Sequence, residues 1–189
     1  VPVDQEFIDL MLRRDICYSP TLTRELSTYV YENEPGFFTD PFFLGEVDSA
    51  VVETLRDPAR QERLRNSASA QQYKASLPVA MKNMVQLADA GVRIALGTDS
   101  GPAARFQGYF EHLEMWMMAD AGMQPMAILQ AATSVAAACL GLEETGTLAA
   151  GKWADLLILE QNPLEDIRNT RSIHSVWIAG NAVQRAERP

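Results

Sequence analysis

Two stretches of the chain combine a helical apolar pattern with a short apolar segment directly after it. In the first, Asp4 is placed to cap a helix, and residues 16–19 follow as a short strand. In the second, Ser76 is placed to cap a helix that ends at Gly91, and residues 92–97 follow as a buried strand. A helix, a tight turn and a buried strand, repeated, are typical of a parallel α/β fold.

The remaining pattern predicts more helices and then a change of architecture. Residues 21–74 have a looser pattern, which we interpret as a largely helical excursion after the first strand. The predicted helices beyond the two above are 47–55, 59–64, 110–121 and 125–140. After Gly141 the predicted elements are short β segments at 146–148, 154–159, 173–178 and 182–183. We therefore predict an α/β portion over residues 1–143 and a small antiparallel β unit over residues 144–189.

Composition limits the partners that the chain can have. The 189 residues carry a formal net charge of −9 with no basic block, so an anionic phosphate backbone or membrane surface would be repelled. No apolar run approaches the ~18 residues that a membrane span needs, and we expect neither a nucleic-acid nor a membrane partner. Cys17 and Cys139 lie far apart in apolar contexts, which predicts two buried, reduced thiols and a cytoplasmic location. The chain lacks an initiator Met, so we expect that it was trimmed or begins within something larger.

One carboxylate stands out as candidate chemistry. The apolar run 92–96 ends at Gly97, and Asp99 follows on a small turn bounded by Gly101. Polar residues just beyond the C-terminal ends of parallel strands form the active sites of many α/β enzymes. Asp99 is therefore the first candidate ligand or base, and an Asx turn after the strand is the alternative.

Other notable side chains favour structural roles. His112 is expected on a helix surface or in helix packing, and His174 lies in the predicted β unit. Trp116 and the methionines between 115 and 126 are expected to pack in the core between two adjacent helices, and a flexible substrate wall is the alternative. The phenylalanines between 37 and 43 could form a lid or apolar pocket, or could pin the helical excursion to the rest of the fold.

Several motifs, in order, resemble the C-terminal half of the metal-dependent amidohydrolase superfamily, nearest its imidazolonepropionase-like and prolidase-like branch. The motifs are GTDS at 97–100, AGM at 121–123, AAT at 131–133, GTLAAGKWADL at 146–156, NPLEDI at 162–167 and VWIAG at 176–180. The resemblance covers nearly the whole chain. Each is weak by itself, and their order and spacing make the match specific.

The resemblance implies a fold and a site. In that family a (β/α)8 TIM-type barrel holds one or two divalent metals at the C-terminal ends of its strands, and a small β-sandwich is built from both chain termini. Residues 16–19 would then be the seventh barrel strand and residues 93–97 the eighth. Asp99 would match the family's last metal ligand, zinc being the expected metal, and would also accept the proton of the metal-bound water.

The predicted substrate contacts are side chains near the ends of these two strands. They are Tyr18, Thr21, Arg24 and Ser100. For the first three, ordinary loop positions are an equally supported interpretation.

The sequence also departs from the family. Its His-x-His pair, its bridging Lys or Glu and its strand-five and strand-six histidines would all lie upstream, and a catalytic zinc usually needs three protein ligands. We therefore expect a portion of a hydrolase that cleaves a C–N bond in an amide, cyclic amide or dipeptide-like small molecule, inactive alone. The expected partner is the missing N-terminal half or a self-association surface, giving an oligomer.

Two other functions stay open. The chain could be a non-catalytic scaffold or binding module derived from the same fold. It could also belong to a different barrel enzyme that uses Asp99 and Glu111 for general acid/base chemistry.

Overall fold

The computed structural model describes residues 1–184 and has an α/β architecture. The α-helices are α1 (Gln5–Arg13), α2 (Leu22–Ser27), α3 (Pro41–Leu44), α4 (Ser49–Leu55), α5 (Pro58–Arg65), α6 (Ala68–Asp89), α7 (Tyr109–Asp120), α8 (Pro125–Ala132) and α9 (Ser134–Cys139). Short 3₁₀ helices cover Val30–Glu32, Gly36–Thr39 and Ile167–Arg171. The strands are β1 (Leu156–Leu159), β2 (Ile173–Ile178) and β3 (Asn181–Ala182). None of the helices within residues 1–184 is long and apolar enough to cross a membrane.

The two segments predicted as parallel strands lie side by side. Tyr18 pairs with Ile94 in a parallel bridge, in which the Tyr18 N–H donates to Arg93 O at 2.8 Å. The ladder extends no further, because its next donor would be Pro20, which has no N–H. On the other segment, the Leu96 N–H donates to Ala131 O on α8. The expected parallel neighbours are present, with regular pairing limited to one bridge.

The helix predicted to be capped by Ser76 is capped nine residues earlier, at Ser67. The Ser67 side chain caps α6 by accepting the Ala70 N–H, so the prediction of a cap at Ser76 is wrong. Pro78 lies inside this helix rather than in its first turn. Good helix formers fill residues 68–77, and Ala70 and Leu77 are buried, so tertiary packing extends the helix across the proline.

The predicted helix 125–140 is divided into α8 and α9. The break lies at Thr133, whose backbone has φ −131° and ψ −93°. Its hydroxyl donates to Leu129 O at 2.7 Å. The periodicity of alanines continues across this residue, which is why the pattern alone did not reveal the break.

The phenylalanines of residues 37–43 pin the helical excursion to α7. Phe38 and Phe43 are fully buried, and the Phe43 ring lies 5.0 Å from that of Tyr109 at the start of α7. Met115, Met117 and Met118 are buried in the same core. Packing is therefore the role of the phenylalanines and of these three methionines, whereas Met126 is exposed and Met123 only partly buried.

The C-terminal unit is a three-stranded antiparallel sheet within the described residues, in the order β1-β2-β3. Leu157 is opposite Val176, and Trp177 is opposite Ala182. The predicted strand at 146–148 is wrong, because Gly146 is held in a turn against Ala137 of α9. Of the predicted segment 144–189, residues 185–189 lie outside the described residues.

The two cysteines form a disulfide. Cys17 and Cys139 are bonded with their Cα atoms 6.0 Å apart, so the prediction of reduced thiols is wrong. A separation of 122 residues in sequence hid this contact, which only the folded chain creates. The cytoplasmic location relied on free thiols and therefore loses that support.

Candidate active site

Asp99 lies on the turn after the second parallel segment, with its backbone in the left-handed region at φ 52°. Asp is one of the residue types that tolerate this conformation. Its side chain is 58% exposed and forms an ion pair with Arg105. The same guanidinium donates to Asp99 O at 2.9 Å, so Arg105 holds both the carboxylate and the backbone of this turn.

Thr98 anchors the turn from beneath. Its hydroxyl donates to a carboxylate oxygen of Glu111 on α7 at 2.8 Å. The Thr98 hydroxyl oxygen in turn accepts hydrogen bonds from the backbone N–H and the hydroxyl of Ser100 at 3.2 Å and 2.8 Å. Thr98 is buried while the Asp99 side chain is exposed, so a fixed backbone presents a carboxylate that is paired with Arg105 to solvent.

Glu114, one turn further along α7, is completely buried. Its carboxylate accepts the Leu22 N–H at 2.8 Å and the Thr23 N–H at 2.7 Å. It also accepts the Thr23 hydroxyl at 2.7 Å. Burial raises the pKa of Glu114, and the hydrogen bonds from Thr23 and Leu22 oppose that rise because they favour the charged form.

The ends of the two parallel segments approach closely at Gly97. A Cβ built on Gly97 would collide with the Ser19 hydroxyl and would lie 3.8 Å from Thr21 Cγ2. The absence of a side chain at Gly97 thus lets the Ser19–Thr21 backbone pass directly beside the base of the Asp99 turn.

Two of the predicted substrate contacts lie beside the Asp99 turn, and a third makes other contacts. Thr21 and Ser100 lie beside the Asp99 turn, as the contacts of Gly97 and Thr98 show. Arg24 instead pairs with Glu25 at 2.8 Å, and its guanidinium carbon lies 5.1 Å from the centre of the Tyr73 ring.

Tyr18, the fourth predicted contact, is half-buried at the parallel bridge. Burial raises the pKa of its hydroxyl, and the charges of Glu114 and Glu25 raise it further. A role in substrate binding stays a prediction for all four residues.

The donor set tests whether a metal can bind here. Asp99 is the one carboxylate exposed on this turn, and no group of three or more His, Cys, Asp or Glu side chains suited to a metal exists within residues 1–184. His112 is committed elsewhere, since its Nδ1 lies 2.9 Å from the Thr170 hydroxyl. The described residues therefore do not by themselves fit a metal centre.

Sequence reasoning missed the residues that support the turn. Arg105, Thr23 and Glu114 were not singled out as site residues. The available signal was Glu114 itself, a charged residue followed by the apolar residues 115–119 on a helix. Such a residue needs buried partners.

Comparison with known proteins places the chain in a family. A model of the "Amidohydrolase family" matches residues 35–183. The chain belongs to the amidohydrolase family. The resemblance inferred from the sequence is thereby confirmed, and so is the α/β class.

Individual relatives match about half of the chain. The chain is 39% identical over 97 residues to an ochratoxinase from Aspergillus niger, covering 48% of this chain and 19% of that protein. It is 34% identical over 101 residues to an imidazolonepropionase from Deinococcus deserti, covering 52% of this chain and 25% of that protein.

Solved structures of family members match almost the whole chain. A Xaa-Pro dipeptidase with bound methionine superposes with a TM-score of 0.69 and 25% identity over 97% of this chain and 38% of that one. The A. niger ochratoxinase gives a TM-score of 0.64 and 26% identity over 95% of this chain and 35% of that one. These amidohydrolases imply a TIM-barrel-type fold. The chain spans well under half the length of each of these relatives.

Proposed function

We propose that this chain is the C-terminal portion of an amidohydrolase that hydrolyses a C–N bond in a small amide, cyclic amide or dipeptide-like substrate. The observation that carries the proposal is the exposed Asp99 carboxylate on a turn fixed by Thr98 and Arg105, at the end of a segment in parallel pairing. This is where barrel enzymes place their reactive groups. The family match and the names of the relatives support hydrolysis.

In this proposal residues 1–143 are the last part of the barrel. Residues 16–19 and 93–97 are its seventh and eighth strands, and Asp99 contributes one metal ligand to the complete enzyme. A divalent ion, with zinc expected, would supply an activated water there. Asp99 is the only ligand candidate on this turn. In this proposal the other ligands lie in a region of the complete protein that corresponds to the part of the relatives outside the match.

The C-terminal unit, in the same proposal, is one share of a small β-sandwich. β1 is an edge strand of the described sheet, and Leu157 and Ile158 on it are exposed. β1 lines a largely apolar cavity of about 890 Å³ together with α8 and α9. An unpaired edge next to an apolar cavity is a site for strand pairing, and we assign it to the N-terminal half of the protein.

The test compares the complete gene product with this chain alone. Native mass spectrometry with elemental analysis measures mass and bound metal, and hydrolysis is assayed on an Xaa-Pro dipeptide, an N-acyl amino acid and a cyclic amide. We expect a divalent metal and turnover in the complete protein. Asp99→Asn should abolish turnover and reduce metal content, whereas Asp89→Asn, at an exposed position at the end of α6, should change neither.

Two results would contradict the proposal. A stable, metal-free oligomer of this chain, with no turnover by the complete protein, would support the scaffold function. Turnover that survives chelation and requires both Asp99 and Glu111 would support general acid/base chemistry without a metal.

A further inference from the structure

Two glutamates on one face of α7 each hold a different loop of the candidate site. Glu111 accepts the Thr98 hydroxyl, and Glu114 accepts the Leu22 and Thr23 amides. Their spacing of three residues puts both carboxylates on the same side of the helix. One rigid element thus contacts the loops that follow both parallel segments.

The loop held by Glu114 contains a strained residue. Thr21 has φ 47° and ψ 47°, a left-handed conformation that is unfavourable for a β-branched side chain. Thr21 precedes α2, yet its side chain makes no capping hydrogen bond. The Glu114 carboxylate does this instead, by accepting the N–H groups of Leu22 and Thr23. The strained conformation is therefore maintained by a side chain from another element.

Thr23 connects this loop to the base of the Asp99 turn. Its hydroxyl donates to Glu114 at 2.7 Å, and the same oxygen lies 3.4 Å from Thr98 O. Thr98 in turn accepts from the Ser100 N–H. The fully buried Glu114 is thus two contacts away from the peptide that carries Asp99.

We propose that Glu114 is a positioning residue that locks the Thr21–Thr23 loop against the Thr98–Ser100 turn and so sets the place of the Asp99 carboxylate. Glu114 sets the geometry of these loops whether or not the protein is a hydrolase, whereas an effect of Glu114 on turnover rests on the proposed function. Glu114 affects the Asp99 turn only through Thr23 and Thr98, because both of its carboxylate oxygens accept hydrogen bonds from Leu22 and Thr23.

Residue-resolved amide hydrogen exchange on the full chain tests the positioning. Glu114→Gln keeps the shape of the side chain but replaces one carboxylate oxygen with an NH2 group. That group is a donor and would face the N–H of Leu22 or the donors of Thr23. We expect the Leu22 and Thr23 amides to exchange about tenfold faster, because each loses or weakens a charge-assisted bond. The diagnostic amide is that of Ser100, which Glu114 does not contact and which should also exchange about tenfold faster.

Glu32→Gln is the matched control. Glu32 is also a buried glutamate, with Lys74 and Gln71 as its side-chain partners, so its loss should destabilise the chain without changing the Asp99 turn. Thr23→Val is the second variant, and it decides the outcome if Glu114→Gln does not fold. It keeps both backbone bonds to Glu114 and removes only the hydroxyl, so we expect faster exchange at Ser100 with Leu22 unchanged.

Three results would overturn the proposal. The first is faster exchange at Leu22 and Thr23 with Ser100 unchanged, which would make Glu114 a local cap. The second is an equal increase at every amide in both Glu114→Gln and Glu32→Gln, which would reflect global stability alone. The third is an unchanged Ser100 amide in Thr23→Val.

Kinetics of the complete enzyme separate this inference from the proposed function. If both hold, Glu114→Gln should lower kcat by about tenfold or more and leave KM nearly unchanged, because small displacements of a reacting group have large effects on rate. If the wild-type protein has no turnover, the proposed function fails, and the exchange result still decides whether Glu114 positions the turn.

Discussion

The disulfide between Cys17 and Cys139 joins the first parallel segment to the end of α9. Cys17 immediately precedes Tyr18, which forms the parallel bridge with Ile94. The bond therefore connects the beginning of the described chain to the helices that precede the C-terminal sheet, across 122 residues.

Removing this bond should destabilise the chain substantially. In the loop-entropy description, a closed loop of 100 residues contributes about 4.7 kcal/mol. We expect the double variant Cys17→Ala, Cys139→Ala to lose several kcal/mol, measured as the free energy of unfolding in urea. Dithiothreitol should destabilise the wild type in the same way and leave the double variant unchanged. Equal stability of oxidised and reduced wild type would refute this prediction.

The turn at Gly146 should be far less tolerant of substitution than the turn at Gly151. Both have positive φ, 79° and 86°. A Cβ at Gly146 would lie 2.6 Å from Ala137 Cβ and 2.9 Å from Thr133 O, whereas a Cβ at Gly151 would meet nothing within 4 Å.

Gly146→Ala should therefore lower the free energy of unfolding by about 2–4 kcal/mol, because strain and overpacking add. Gly151→Ala should cost only the left-handed strain, about 1 kcal/mol. Thermal and urea unfolding of the two variants provide the measurement. Similar losses in both would show that the contact of Gly146 with Thr133 and α9 is unimportant.

His112 should make the chain less stable in mild acid. Burial lowers its pKa, an effect that nearby Glu111 opposes and Arg171 reinforces. Because Thr170 donates its own hydroxyl proton to Ile167 O, the His112 Nδ1 must be the donor to Thr170, and the neutral ring satisfies this bond.

The direction of the pH effect follows from the lowered pKa. The unfolded chain binds a proton near pH 6.5, and the folded chain does so only at lower pH, so stability is complete above 6.5 and is lost as pH falls through that range. We expect His112→Asn to flatten the dependence of unfolding free energy on pH between 7 and 5. His174→Asn removes a histidine from an exposed position in β2 and is the comparison variant for the loss of a histidine elsewhere in the chain.

Asp99 should be replaceable at little cost in stability. Its side chain is largely exposed, and exposed ion pairs such as Asp99–Arg105 contribute about 0–1 kcal/mol. Asn also tolerates φ 52°, so Asp99→Asn should unfold within about 1 kcal/mol of the wild type. Asp99→Ala should cost about 1 kcal/mol more, because alanine is strained in the left-handed region. Denaturant titration of both variants is the check, and a large loss in Asp99→Asn would give Asp99 a structural role instead.

The elements that the sequence predicted well are those set by local pattern. The helices α4, α5 and α7 lie within a few residues of their predicted ranges, because apolar spacing and caps are local signals. The turn that carries Asp99 was predicted for the same reason, since a strand pattern that ends in glycine indicates a turn at that point; the role of Asp99 stays a prediction. The motifs in order revealed the family, which the match over residues 35–183 confirms.

The elements that were missed depend on contacts between distant parts of the chain. The extension of α6 across Pro78 accompanies the burial of Ala70 and Leu77. The break at Thr133 is an exception, since the Thr133 hydroxyl bonds to Leu129 O only four residues away. The disulfide needs two residues 122 positions apart to meet.

By itself, the sequence determined the α/β class, the family and the turn that carries Asp99. Only the tertiary structure decided what holds that turn. Glu111 reaches Thr98 across 13 positions, and Thr23 reaches Thr98 across 75. Glu114 bonds to Thr23 across 91 positions, and all three separations close only when α7 packs against both loops. A hydrogen bond requires two groups to be close in space, whatever their separation in sequence. The hydrogen bonds that hold the Asp99 turn therefore exist only in the folded chain.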